Sequence, residues 1–404
     1  MDGQDELNPN FMQDSTPISS GVRSLRELID LVSGRSLGLT PPQEDSGLAE
    51  SLPFPFLALV GQMEMKLALL LTIINPAIGG VLLIGPRGTG KTTAVRSLLD
   101  LLPDIKRSTC YYGCVEEDIL GGGMDAVCPD CVKKYAEGIP LTKDDPVRLV
   151  ELPNNAQLED VIGSVDDRAG IHERHRLKRG ILAQADQNVL YIDEANLLDD
   201  NIVDAILDAA ANGKYHIKRG EIRASYNARF SLVGSMNPEE GEIRPQIMDR
   251  FGLRVIVRGL TEINERLEAY QRVRLYHNNP HLVIRQYQTD TALARQEIIH
   301  ARKLLSEVEL PDEIAQKGIQ LIRYLGIDSL RAEMTLLESA RAYAAADSKT
   351  RVTLDDIIKI APMALRLRKS DLIKTYFTHR DREDDELKKA ISSLFTDHSQ
   401  EDKK

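Results

Sequence analysis

The sequence predicts an α/β fold, a parallel sheet flanked by helices, with a smaller all-helical domain behind it. Three observations carry that expectation. Short apolar runs at 81–84, 189–192 and 230–235 are separated by helical or loop-rich stretches, the pattern of buried parallel strands. A glycine-rich turn leads from the first run directly into an amphipathic helix. From about residue 261 onward the apolar residues keep the 3.6-residue period and no strand pattern returns.

At 404 residues the chain has room for two or three domains, and an apolar content of 42% is enough to give them cores. The net charge of −11 speaks against a protein that coats nucleic acid. No apolar run approaches the roughly 18 residues of a membrane span. The first 13 residues are acidic and polar, without the basic and apolar regions of a signal peptide or the arginine-rich character of a transit peptide. These readings predict a cytoplasmic protein that binds neither membrane nor nucleic acid.

In order, residues 1–50 read as a flexible extension rich in Asp, Ser, Gly and Pro, with a short helix at 24–32. Residues 51–260 read as the α/β domain. A helix at 62–74 precedes the first strand, and a helix at 94–102 follows the turn. A Cys-rich insert occupies about 103–135 within a loop-rich stretch that reaches 180. Strand and helix then alternate again: a strand at 189–192, a helix at 201–211, a hairpin around Arg219-Gly220, and a strand at 230–235. Residues 261–375 read as linker helices and a helical lid domain, with helices at 261–274, 289–308, from Pro311 through Tyr324, and 329–346. A capping box at Thr353 to Asp356 opens a last helix through Arg368. Residues 376–404 form a charged tail.

The chemistry begins at Gly85-Pro86-Arg87-Gly88-Thr89-Gly90-Lys91-Thr92, which fits the phosphate-loop pattern G-x-x-x-x-G-K-[ST] without a mismatch; Thr93 follows it. Glycines let backbone N–H groups approach phosphate oxygens, and a helix N-terminus adds partial positive charge. Lys91 can reach the β- and γ-phosphates of ATP, and the Thr92 hydroxyl can sit on Mg²⁺. Asp193-Glu194 ends the second strand and so faces the same crevice, because ligands of parallel sheets bind beyond the carboxyl ends of strands. Asp193 would hold Mg²⁺ and Glu194 would orient the attacking water. The bland alternative, an acidic surface turn, loses weight about 100 residues after a phosphate loop. Asn237 follows the third strand, where an amide can position water or touch the γ-phosphate; by itself it is also an ordinary turn residue before Pro238. Arg250 and Arg331 are candidates for a fixed cation near the γ-phosphate, although arginines mostly solvate a face.

The chain's four cysteines form Cys110-x3-Cys114-x13-Cys128-x2-Cys131, a spacing that suits a structural four-thiolate Zn²⁺ site. Unrelated thiols and redox sensing are the alternatives, and disulfides are disfavoured in a reducing compartment. His172 and His175 lie in a charged segment and read as surface residues.

These residues together resemble a known family, the ATPase (I) subunit of magnesium chelatase within the AAA+ class. Matching text begins at Ile78-Gly79-Gly80-Val81 and runs through the phosphate loop. It continues with Arg179-Gly180-Ile181-Leu182-Ala183, the second strand with Asp193-Glu194, and Asn196-Leu197-Leu198-Asp199-Asp200. Gly234-Ser235-Met236-Asn237-Pro238-Glu239-Glu240-Gly241-Glu242, Arg244-Pro245-Gln246, Asp249-Arg250-Phe251-Gly252 and Ser329-Leu330-Arg331-Ala332-Glu333 complete it. The likeness spans about 53–370. The extension, the cysteine cluster and Asn154 to Asp160 depart from the family pattern.

The resemblance implies an AAA+ fold with a helical lid. It makes Asn237 sensor 1, Arg250 the arginine finger and Arg331 the sensor 2 arginine. It further implies ATP-driven hexameric rings that dock on a D subunit and drive a porphyrin-binding H subunit to insert Mg²⁺ into protoporphyrin IX, for chlorophyll or bacteriochlorophyll. Two rival readings stay open at this point. One is an ATPase of the same class that remodels or metallates a different metalloenzyme. The other is a nucleic-acid motor of the minichromosome-maintenance type, which the acidic balance opposes.

Overall fold

The computed structural model describes residues 52–110, 114–124, 127–166, 176–219, 222–241 and 245–368. The 1–50 extension with its 24–32 helix, His172, His175, the hairpin tip at Gly220 and the charged tail lie outside the described residues.

Helix α1 (Met63–Ile74) leads to β1 (Val81–Ile84), the phosphate-loop turn and α2 (Lys91–Leu98). The stretch expected to be loop-rich holds β2 (Ile105–Ser108), α3 (Glu116–Gly122), α4 (Pro129–Ala136), β3 (Thr142–Asp145), β4 (Leu149–Leu152), α5 (Leu158–Ile162) and the pair β5 (Gly163–Asp166) and β6 (Arg176–Arg179). Then come α6 (Ile181–Gln184), β7 (Val189–Ile192), α7 (Asp200–Asn212), the hairpin β8 (Lys214–Arg219) and β9 (Ile222–Asn227), β10 (Ser231–Met236), α8 (Pro245–Arg250) and β11 (Leu253–Ile256). The helical part is α9 (Ile263–Asn278), α10 (Pro280–Leu304), α11 (Asp312–Tyr324), α12 (Leu330–Ala346) and α13 (Leu354–Leu365).

Five strands make one sheet in the order β11-β1-β10-β7-β4, every neighbour parallel. Two of them were absent from the sequence reading. Edge strand β4 carries Glu151 and is only half covered, so its apolar run is weak. Strand β11 is interrupted by Arg254, which is nonetheless only 1% exposed. Its guanidinium donates to the carbonyls of Met248 (2.5 Å) and Arg366 (3.1 Å), contacts no sequence pattern reveals.

Side-chain alternation splits the interior into two cores, one per face of the sheet. Val81, Leu83, Val189, Tyr191, Val233 and Val255 point to a face covered by α1, α2 and the C-terminal helices. Leu82, Ile84, Leu190, Ile192 and Leu232 point to the other, covered chiefly by Ile202, Val203, Ile206 and Leu207 of α7. The period-2 register is what makes a four-residue strand serve two cores at once. The first core continues without a break into Leu336 and Ala340 of α12 and Ile357 and Ile360 of α13. The helical part is therefore packed onto the α/β part. Polar ties reinforce the seam: Asn75 Nδ2 donates to Glu338 Oε2 (2.8 Å), and Arg366 pairs with Glu64 (2.5 Å).

Helix ends follow local chemistry. Helix α2 starts at Lys91, three residues before the expected Ala94, because Gly90 at φ 84° closes the loop in the left-handed region and hands the chain to the helix. Pro280 opens α10 well before the expected residue 289, with the Asn279 side chain capping the N–H of Leu282 (3.1 Å). The Thr353 N–H donates to the Asp356 carboxylate (2.8 Å), the expected capping box, and α13 ends at Leu365 rather than at Arg368.

The sheet edge near β1 tolerates no added methyl. A Cβ at Gly252 would lie 1.9 Å from the Ile78 carbonyl oxygen and 3.1 Å from that of Gly80, both backbone atoms. Gly252→Ala should destabilise the protein by about 1–3 kcal/mol, the range for overpacking, measured as a lower urea midpoint at unchanged slope.

Candidate functional site

Three adjacent strands deliver three chemistries to one place. Strands β1, β10 and β7 lie side by side and parallel, so their carboxyl ends open on the same crevice. The first supplies the phosphate loop, the second Asn237, the third Asp193 and Glu194. They line a cleft of about 430 Å³ together with Arg87, Lys91, Thr92 and Ser235. Five residues expected from sequence to act together, Lys91, Thr92, Asp193, Glu194 and Asn237, are thus brought together.

Lys91 is buried at the first turn of α2, and its ammonium donates to the Gly85 (2.6 Å) and Pro86 (2.8 Å) carbonyls. Burial lowers its pKa, against the pull of Asp193, Glu240 and Glu194. Opposite it, Tyr191 knits the cation side of the cleft. Its hydroxyl lies 3.1 Å from Thr92 Oγ1 and donates to Asp193 Oδ1 at 3.0 Å. Ser235 Oγ donates to the same oxygen at 2.5 Å. Burial pushes the Tyr191 phenol up to about 12, so it stays protonated and remains a donor at any physiological pH. A hydroxyl and a carboxylate held around one phenol are a hard-oxygen donor set, which fits Mg²⁺.

Glu194 stands at φ 51°, left-handed for a non-glycine residue, at a cost on the order of 1–3 kcal/mol. The Ser235 hydroxyl accepts its N–H (3.2 Å), and the Ser235 carbonyl accepts that of Ala195 (2.9 Å). The turn aims the carboxylate back at the phosphate loop, where Arg87 binds it (3.0 Å) and also binds Glu240 (2.5 Å). Glu240 in turn accepts from Asn237 Nδ2 (2.9 Å), and Asn154 Nδ2 lies 3.4 Å from the other Glu194 oxygen. Arg87 thus bridges Glu194 and Glu240, and the Asn237 and Asn154 amides sit on those same two carboxylates.

Arg250 and Arg331 are not among the residues lining this cleft. Arg250 ends α8 and pairs with Asp204 and Asp208 of α7, both at 3.0 Å. Arg331 is exposed in the first turn of α12. The two regions are nonetheless tied. Asp249, next to Arg250, accepts from Arg368 (2.8 Å) and from Ser329 (3.3 Å), the cap of α12. The four cysteines converge too, but in a separate small cluster with Ile119, Val127 and Leu141. The insert thus closes at the start of β3, beyond the expected residue 135.

Tyr191, Ser235, Glu240 and Asn154 were missed as site residues. A polar atom on a buried aliphatic strand was the available signal for Tyr191 and Ser235. Glu240 and Asn154 sit in turns and carried none.

Comparisons with known proteins agree with one another. A model of the AAA lid domain matches residues 316–390, and a model of the MCM P-loop domain matches residues 161–258. The magnesium-chelatase 38 kDa subunit of Acidiphilium rubrum is 39% identical over 347 residues, covering 85% of this chain and 97% of that one. The magnesium-chelatase subunit ChlI homolog of Methanocaldococcus jannaschii is 43% identical over 314 residues, covering 77% and 84%. A solved putative ATPase from Cytophaga hutchinsonii, 19% identical with a TM-score of 0.50, covers 78% of this chain and 84% of its own, a likeness of fold alone.

Tyr191→Phe removes one of the two hydroxyl donors on Asp193, the other being Ser235. Divalent-cation affinity should fall about tenfold or more, the effect typical of losing such a support, while binding of metal-free ATP stays unchanged. Titrating Mn²⁺ in the presence and absence of nucleotide reads both.

Proposed function

This chain belongs to the magnesium-chelatase ATPase-subunit family, and from that premise we propose that it is the motor of a chelatase that inserts Mg²⁺ into protoporphyrin IX. The observation that carries the reading is the convergence of Lys91, Thr92, Asp193, Glu194 and Asn237 at the carboxyl ends of three neighbouring strands. It is an AAA+ ATPase with a helical lid, and its cofactors are ATP and Mg²⁺.

Lys91 and the loop N–H groups would hold the phosphates, and Thr92 and Asp193 would hold Mg²⁺. Bound there, Mg²⁺ supplies positive charge against the oxygens of the transferring phosphoryl group. Glu194 would orient and polarise the attacking water, with Asn237 steadying it. Arg87 pairs with Glu194 and Glu240, so phosphates held at the loop would compete with these two carboxylates for its guanidinium. A neighbouring depression of about 500 Å³, lined by Gln62, Val255, Arg258 and Glu265, offers room but no such cluster of reactive groups. Its lining includes Val255 and Ile256 at the end of β11, the strand paired with β1.

Arg250 would complete the site of a neighbouring copy in a homo-hexameric ring. Arg331 would report on nucleotide through the helical lid, and the Arg368–Asp249–Ser329 contacts would pass lid movement to Arg250. The ring would dock on a D subunit and act on a porphyrin-binding H subunit. A structural Zn²⁺ on Cys110, Cys114, Cys128 and Cys131 is the second metal of this reading.

Glu194→Gln should bind ATP normally and lose turnover by about 100-fold or more, the scale of general-base effects; normal turnover removes Glu194 from the mechanism. Reconstitution with D and H subunits should yield Mg-protoporphyrin only with ATP. An active ATPase that yields none with any D and H pair would favour a different metalloenzyme partner.

A further inference from the structure

Resting on the second-metal reading, we infer that Cys110, Cys114, Cys128 and Cys131 form one tetrathiolate Zn²⁺ centre that stands in for a hydrophobic core in residues 109–141, independently of the ATP site.

The four Sγ atoms all lie within 4.8 Å of one another, and none is in a disulfide. A tetrahedral ion with bonds of about 2.3 Å would place its sulfurs roughly 3.8 Å apart, so binding asks for a small contraction and no rearrangement of the chain. The ligands come from two segments that the fold brings face to face. Cys110 and Cys114 follow β2. Cys128 caps α4 and Cys131 lies in its first turn, where the helix N-terminus favours a thiolate.

Two of the four sulfurs accept backbone hydrogen bonds. The Cys114 N–H donates to Cys110 Sγ (3.3 Å) and the Cys128 N–H to Cys114 Sγ (3.4 Å). Ser108 donates its hydroxyl proton to the Cys114 carbonyl (2.6 Å) and accepts the Cys110 N–H (3.2 Å), which shapes the first cysteine turn. Four thiols binding Zn²⁺ release four protons and leave a doubly negative centre, and these donors offset part of that charge. Soft thiolates select Zn²⁺ over the Mg²⁺ that suits the oxygen donors of the cleft.

The folding role follows from what else is there. The buried members of this cluster are Cys114, Ile119, Val127, Cys131 and Leu141, with Cys110, Cys128 and Val132 against them. Half of it is sulfur, and it is separate from both sheet cores. Its link to the body is the two-stranded β2–β3 ribbon, aided by Glu116 accepting the Leu141 (2.7 Å) and Thr142 (3.2 Å) N–H groups. Among the described residues the cluster is small and half cysteine, the kind of core that a metal staple completes. None of its residues lines the nucleotide cleft.

The test uses the full chain, purified without metal-affinity steps. Metal analysis should find about one zinc per chain; less than about half an equivalent overturns the centre, given the tight binding of such sites. Because the chain has only four cysteines, titration with an organic mercurial should release that zinc in step with their modification. Zinc retained after all four thiols are blocked also overturns it. Chelator-stripped protein should be cut by protease within 109–141 yet bind ATP with unchanged affinity. An insert that stays resistant when stripped sinks the folding role while leaving the zinc site standing, and a loss of ATP affinity sinks the independence.

Discussion

Parallel pairing of β1 with β10, and of β10 with β7, is the constraint on which the cleft depends. Val81 opposite Val233 and Val233 opposite Tyr191 fix the register. That register ends β1 and β10 level, Ile84 opposite Met236, and ends β7 two positions earlier, Ile192 opposite Gly234, so that Asp193 comes beside Ser235 while the phosphate loop and Asn237 follow their strands directly. A slip of one residue would turn every side chain to the other face. Tyr191 would leave the core that places its hydroxyl between Thr92 and Asp193. Backbone hydrogen bonding in the sheet is thus the positioning device for the polar groups of the cleft.

The cleft sets two cationic side chains against a group of carboxylates. One buried ammonium faces three carboxylates, and Arg87 from the loop pairs with two of them. Exposed pairs of this kind are weak individually, since water competes for both partners. On the proposed function, a polyphosphate would offer Arg87 and Lys91 more negative charge than these carboxylates do. The left-handed Glu194 is the fixed part of this arrangement, held through its backbone by Ser235 while its side chain is free to change partner.

Coupling beyond the cleft runs through buried arginines. Arg254 and Arg368 lie side by side around Asp249, and burial lowers the pKa of both. Two desolvated cations are tolerable because backbone carbonyls of Met248, Phe251, Gly252, Ala364 and Arg366 accept from them. The result joins α8, β11 and the end of α13 into one unit. Because β11 is also paired with β1, this unit ties the sheet to the helical part, and Arg250 stands at its edge, at the end of α8.

Much of this was legible in the sequence. Gly85 to Thr92, Asp193-Glu194 and Asn237 follow apolar runs, and a run followed by a polar break is a local pattern. The alternation of strand and helix, the helical second half and the four-cysteine spacing are local in the same sense. Tertiary structure decided what rests on contacts between residues far apart in the chain. It buried Arg254 inside β11 and added β4 at the edge. It set Tyr191 and Ser235 on one carboxylate oxygen, joined Arg87 to Glu194 and Glu240, and gathered two cysteine pairs into one cluster. The physical reason is that a residue's own chemistry sets what it can bind, while its partner is fixed by the register and packing of strands up to about 170 residues distant.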